Sequence, residues 1–139
     1  MLPRQVDLTV PQHVLLVDHS ARAPSQARAA VAACAASLGA EDAVDDLLLV
    51  VSELVTNAVR HGAPPVRVEL SADGDRVLVC VADGSPGTPQ PRVADEDAEG
   101  GRGMTLVDLL SSACGVRPQP PGKTVWASLP RRGRPDGTA

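Results

Sequence analysis

The stretch Val50-Val51-Ser52-Glu53-Leu54-Val55-Thr56-Asn57-Ala58-Val59-Arg60-His61-Gly62 decides how this chain is read. Its apolar residues recur at helical spacing, which turns Val51, Val55, Ala58 and Val59 towards a core. Its polar residues recur as well. Glu53 and Asn57 stand four apart, one turn above the other on a shared face, and Arg60 and His61 continue that face. A carboxylate stacked on a carboxamide beside an apolar stripe is either a solvated face or a base and a metal ligand looking into a pocket. The helix opens near Glu41-Asp42, acids suited to a helix N-terminus. It stops at Gly62, with Pro64 and Pro65 barring continuation.

Towards the N-terminus, Ala23-Pro24-Ser25 opens another helix, with proline tolerated in the first turn. It runs through Arg28, Val31, Cys34 and Leu38 to a stop at Gly39. Arg28 falls on its exposed side and reads as a solvated arginine. His13 to Val17 is a short apolar run, and residues 1–12 read as an arm or edge strand. His13 and His19 lack partners at metal-ligand spacing and read as surface residues.

Towards the C-terminus, Val66-Arg67-Val68-Glu69-Leu70 alternates as a strand with one buried face, and Asp73-Gly74 marks a hairpin turn. Arg76 to Ala82 is apolar on both faces and reads as a central strand. From Asp83 to Gly103 periodicity is lost to glycine, proline and acids, the pattern of a lid or binding loop. Met104 to Ser112 reads as a helix, and Ala113 to Val116 as a strand. Lys123 to Leu129 reads as a closing strand with Val125, Ala127 and Leu129 on one face. Residues 131–139 read as a disordered tail.

The composition narrows the function. At 139 residues, 43% hydrophobic and 22% charged, the chain suits one globular domain, here 13–130. A net charge of -4 and the lack of basic stripes argue against direct nucleic-acid binding. Trp126 is the single aromatic, which removes base stacking as a recognition mode. Cys34, Cys80 and Cys114 are too few and scattered for a disulfide framework or zinc site and read as small buried hydrophobes. With no signal peptide and no segment of membrane-spanning length, a cytoplasmic location and no membrane partner are expected.

Four features now converge: Glu53 with Asn57 on one helix, Asp83 at the end of the central strand, Gly100-Gly101-Arg102-Gly103 opening a helix, and Gly122 with Thr124 at the closing strand. Free N–H groups at a helix start favour phosphate. In this order the four resemble the GHKL-type ATP-binding domain, the superfamily of gyrase and the histidine kinases. Over residues 24–129 the chain is most similar to the anti-sigma factor and serine-protein kinase branch. Ser52 to Gly62 resembles that branch's N box, Gly101 to Val107 its second glycine box, and Gly122 to Trp126 its closing strand. The first glycine box departs from Asp-x-Gly-x-Gly: here it is Asp83-Gly84-Ser85-Pro86-Gly87.

The resemblance implies an α+β fold, a two-layer sandwich of a mixed, mostly antiparallel sheet with helices on one face and a lid at about 84–103. It implies ATP or ADP with Mg²⁺ as cofactors. Asn57 would bind Mg²⁺, Asp83 would accept from the adenine amino group with Thr124 in support, and Gly87 would admit the base. Gly101, Arg102, Gly103, Met104 and Thr105 would cradle phosphate, with Arg60 and His61 completing the nucleotide site. Glu53 would be the general base. The implied activity is a serine/threonine-protein kinase acting on a STAS-domain anti-anti-sigma partner, with sequestration of a sigma factor. The alternative is a non-catalytic nucleotide-binding or protein-interaction module of the same fold. A detached histidine-kinase domain is disfavoured, because no phosphoacceptor segment precedes it. Related regulators are often dimers, although no exposed apolar stripe argues for a homodimer here.

Overall fold

The computed structural model describes residues 11–85, 105–119 and 121–133. The lid at about 84–103, the arm at 1–10 and the tail beyond residue 133 therefore lie almost wholly outside the described residues. Five strands form one sheet: β1 (His13–Val17), β2 (Val66–Asp73), β3 (Arg76–Asp83), β4 (Ala113–Gln119) and β5 (Gly122–Pro130), in the spatial order β1-β2-β3-β5-β4. All four pairings are antiparallel, so the described sheet is antiparallel rather than mixed. Helices α1 (Ala23–Cys34) and α2 (Val44–His61) pack on each other, and α2 lies against β2, β3 and β5.

The sheet alternates as its sequence requires. Val77, Val79 and Val81 of β3 join Ala127 and Leu129 of β5 in a core completed by Leu47, Val50, Val51, Leu54 and Val55 of α2. The opposite face of β3 carries a smaller cluster, Leu78 and Cys80, covered in part by Trp126. Trp126 lies against Gly115 across the β4–β5 pair, where a side chain at 115 would come within 3.1 Å of the indole. β3 is thus apolar on both faces because it is central.

Local chemistry sets the helix boundaries. α2 begins after a single 3₁₀ turn at Glu41–Ala43 and carries Asp45 and Asp46 in its first turn, with Arg60 and His61 in its last. Acids at the N-terminus and cations at the C-terminus both oppose the helix dipole favourably. The regular part of α1 ends at Cys34, short of the expected stop, but the capping sits where glycine was expected. Gly39 adopts φ +64°, its N–H donates to Ala36 O at 3.0 Å, and Ala40 N–H donates to Ala35 O at 2.9 Å. That pair of bonds is a Schellman cap on a tightened last turn.

The β2–β3 hairpin turns on Gly74-Asp75, one residue later than expected, with Gly74 at φ +64° and Asp73 paired to Arg76. Order continues past β5 to Gly133: Arg131 N–H donates to Asp75 O at 2.7 Å, and Gly133 N–H to Pro130 O at 3.1 Å. Arg28 is exposed but not simply solvated, since its Nη1 donates to Ser52 Oγ of α2 at 3.1 Å. His13 likewise shares a 3.0 Å hydrogen bond with Ser37.

Candidate nucleotide site

α2 presents the polar face read from its sequence. Leu47, Val50, Val51, Leu54, Val55 and Ala58 are buried, while Glu53 and Asn57 are half-buried on the flank of that stripe. Arg60 and His61 are exposed in the last turn. At 1.5 Å per residue, Glu53 and Asn57 lie about 6 Å apart along the axis, and Asn57 lies about 7 to 8 Å before the helix end. The side-chain oxygen of Asn57 is a hard ligand suited to Mg²⁺, and the Glu53 carboxylate is an acceptor suited to a hydroxyl proton.

The helix end meets the end of β3. A Cβ on Gly62 would stand 2.5 Å from Asp83 Cγ and 2.6 Å from Oδ2, so glycine at 62 is what admits the carboxylate. On the other side, a Cβ on Gly122 would overlap the backbone carbonyl of Asp83. The junction is pinned by Gly84 N–H donating to Ala63 O at 2.7 Å. Asp83, 26 residues from Asn57 and 30 from Glu53 in sequence, is thereby fixed against the C-terminal end of the helix that carries them.

Asp83 is buried, with its side chain 1% exposed. Its Oδ1 accepts from Ser85 N–H at 2.7 Å, and its Oδ2 accepts from Lys123 Nζ at 2.8 Å. The β3–β5 register sets Lys123 opposite Asp83 and Thr124 opposite Ala82. Lys123, not Thr124, is therefore the side chain on Asp83. Thr124 is buried on the other face, where its hydroxyl donates to Gln119 Oε1 at 2.6 Å. The signal was present in the sequence: Val125, Ala127 and Leu129 face the helices, and Lys123 shares their parity whereas Thr124 does not.

Beside this junction is a cavity of about 220 Å³, lined among others by Pro65, Arg67, Asp83, Gln119, Lys123 and Thr124. Neither Glu53 nor Asn57 lines it: Arg67, Ala82 and Thr124 share the sheet face turned away from α2, and the cavity lies on that side. Of the expected phosphate-binding residues, Thr105 is exposed at the start of a helical segment, 105–110. Gly87, Gly101, Arg102, Gly103 and Met104 lie outside the described residues. Among the described residues no cluster of His, Cys, Asp and Glu could hold a metal on its own.

The cysteines are free thiols. Burial pushes Cys80 up to about 12, and the nearby Glu69 carboxylate adds to the rise against an opposing Arg117. Burial also raises Cys114, to about 11, with its hydrogen bond to Asp108 at 3.3 Å acting in the same direction. Both are protonated at neutral pH and neither is built as a nucleophile.

The model of the histidine kinase-like ATPase domain matches residues 18–129, from the turn before α1 to the end of the closing strand. The chain belongs to that family. The family is an ATPase domain, so the ligand it implies is ATP or ADP, and the half-buried Asn57 and Glu53 beside a fixed Asp83 are a donor set that fits it. No curated protein matches the chain. Among solved structures, the histidine kinase domain of the blue-light activated histidine kinase of Erythrobacter litoralis EL346 is 22% identical with a TM-score of 0.52. The match covers 74% of this chain and 60% of that one, so the chain spans about three-fifths of that domain's length. The histidine kinase domain of the E. coli osmosensor EnvZ is 19% identical with a TM-score of 0.47, covering 96% of this chain and 98% of that one. Likeness at this identity concerns the fold: helices over an antiparallel sheet. Among the described residues, no helix is long and apolar enough to cross a membrane.

Proposed function

We propose that the chain is an ATP-binding regulator of the anti-sigma type, which transfers phosphate from ATP to a serine or threonine of a STAS-domain anti-anti-sigma protein and sequesters a sigma factor. The observation that supports the nucleotide site is the contact of Gly62 with Asp83, which sets a buried carboxylate at the end of the helix bearing Asn57 and Glu53. Asn57 would hold Mg²⁺, which would supply charge neutralisation for the transferred phosphate. Glu53 takes the proton of the partner's hydroxyl as its oxygen bonds to the γ-phosphorus and the bond to ADP breaks.

Calorimetry with ATP and Mg²⁺ tests the site, with Asn57→Ala losing Mg²⁺-dependent affinity. Equal affinity in both proteins sinks the metal role. Incubation with a STAS protein and labelled ATP then tests transfer, which Glu53→Ala abolishes while retaining ATP. The engagement of Asp83 by Lys123 favours a second reading, a module that binds its partner without turnover. A complex that forms while phosphate never reaches the STAS protein selects that reading.

A further inference from the structure

Among the described residues, Asp83 is the one buried carboxylate, and both of its oxygens are already engaged. Ser85 N–H donates to Oδ1 from the chain's own backbone. Lys123 holds Oδ2, and its side chain is 14% exposed where that of Asp83 is 1% exposed, so the ammonium is the more accessible partner of the pair. Lys123 is also the single lysine of a chain whose other twelve cationic side chains are arginines. A lysine here is a compact point charge on a flexible stem, able to leave by rotation about its side-chain bonds, where arginine would hold the carboxylate with two bonds at fixed geometry.

We infer that Lys123 is an internal occupant of the base-reading carboxylate: a purine amine reaches Asp83 Oδ2 only when the Lys123 ammonium has left it. The inference rests on the reading of this junction as an adenine-nucleotide site. Binding becomes an exchange of one donor for another, in which the ammonium moves to solvent and the ligand's N–H takes its place. Lys123 thereby sets how tightly the chain holds nucleotide without touching its phosphates. Arg67, the other cation lining the cavity, does not compete for Asp83, because its Nε is held by Glu69 at 2.9 Å.

The test uses the full chain, ATP with Mg²⁺, and two readouts. In titrations, Lys123→Thr gains affinity by about tenfold or more, the scale of one charge-assisted hydrogen bond no longer displaced. Lys123→Arg, which keeps Oδ2 engaged, shows no gain. In wild-type protein labelled with ¹⁵N-lysine, the single side-chain ammonium signal shifts or exchanges away as ATP is added, which requires no variant to fold. Wild-type protein that binds ATP with an unmoved ammonium signal overturns the inference and leaves the nucleotide site standing. So does a Lys123→Thr variant that melts like wild type and binds no tighter. Absence of binding by wild type and Lys123→Thr alike overturns the site and the inference together, whereas binding by Lys123→Thr alone supports both.

Discussion

Replacing Gly62 by alanine tests the contact that joins α2 to β3. The backbone at 62 is extended, with φ -106° and ψ -160°, so alanine adopts it without torsional strain. The conflict is entirely with neighbours: the new methyl would stand 2.5 Å from Asp83 Cγ, 2.6 Å from Oδ2 and 2.7 Å from Ala58 O. Ordinary contacts begin near 3.5 Å, so the carboxylate or the helix end must retreat by about 1 Å. Asp83 cannot retreat freely, because Ser85 N–H and Lys123 Nζ hold it at 2.7 and 2.8 Å. Overpacking of this kind costs about 1–3 kcal/mol, from which alanine recovers about 0.4–1 kcal/mol by restricting the unfolded chain. The net loss is about 1–2 kcal/mol, or roughly 3–8 °C in Tm for a chain of this size. Thermal unfolding followed by Trp126 fluorescence measures it. In an Asp83→Ala background two of the three close contacts are gone and the penalty falls, leaving that with Ala58 O. A Gly62→Ala protein as stable as wild type, or the same loss with Asp83 removed, refutes the proposed junction.

Further outcomes follow from the packing and the thiols. Leu54→Ala empties a fully buried site on the core face of α2 and lowers stability by about 2–5 kcal/mol in urea unfolding. Gly115→Val pushes the Trp126 indole off the sheet, so the emission of the only tryptophan moves to the red; an unchanged spectrum contradicts the stacking. Cys80, near 9.0 when unfolded and raised to about 12 when folded, contributes stability that is intact below pH 9 and is lost as pH climbs from 9 towards 12. The steepest slope from that one group is about 1.4 kcal/mol per pH unit, and subtracting the Cys80→Ala profile isolates it. At pH 7.5 Cys80 and Cys114 react with thiol reagents far more slowly than an unfolded control.

Helix α2 was legible residue by residue because everything that defines it is local: its apolar period, its terminal charges, and the glycine and prolines that end it. The Gly39 stop was legible for the same reason, since a Schellman cap needs one residue able to take positive φ. The placement of β3 followed from apolar residues on both its faces, Val77, Val79 and Val81 on one and Leu78 and Cys80 on the other. The contact of Lys123 with Asp83 was not read from the sequence, because the partner of Lys123 is set by the register between β3 and β5. In a sheet, a slip of one residue exchanges the two faces, so Lys123 and Thr124 compete for the same role on the strength of parity alone. The Arg28–Ser52 bond was hidden for a related reason: it depends on how α1 lies along α2, which no single-helix pattern records.

The first strand has a consequence for how the chain assembles. His13 to Val17 pairs with Leu70 to Val66, on the far side of both helices. The rest of the described sheet closes through hairpins, β2 with β3 and β4 with β5, or through the central pairing of β3 with β5. β1 alone must wait for α1 and α2 to be made and folded back before its partner exists. Such long-range pairing carries a loop-closure cost that local hairpins avoid, and it slows folding. On a ribosome, β1 is therefore made well before its partner and is among the last of the described strands to find its place, and its exposed Val14 and Leu16 face water throughout that interval.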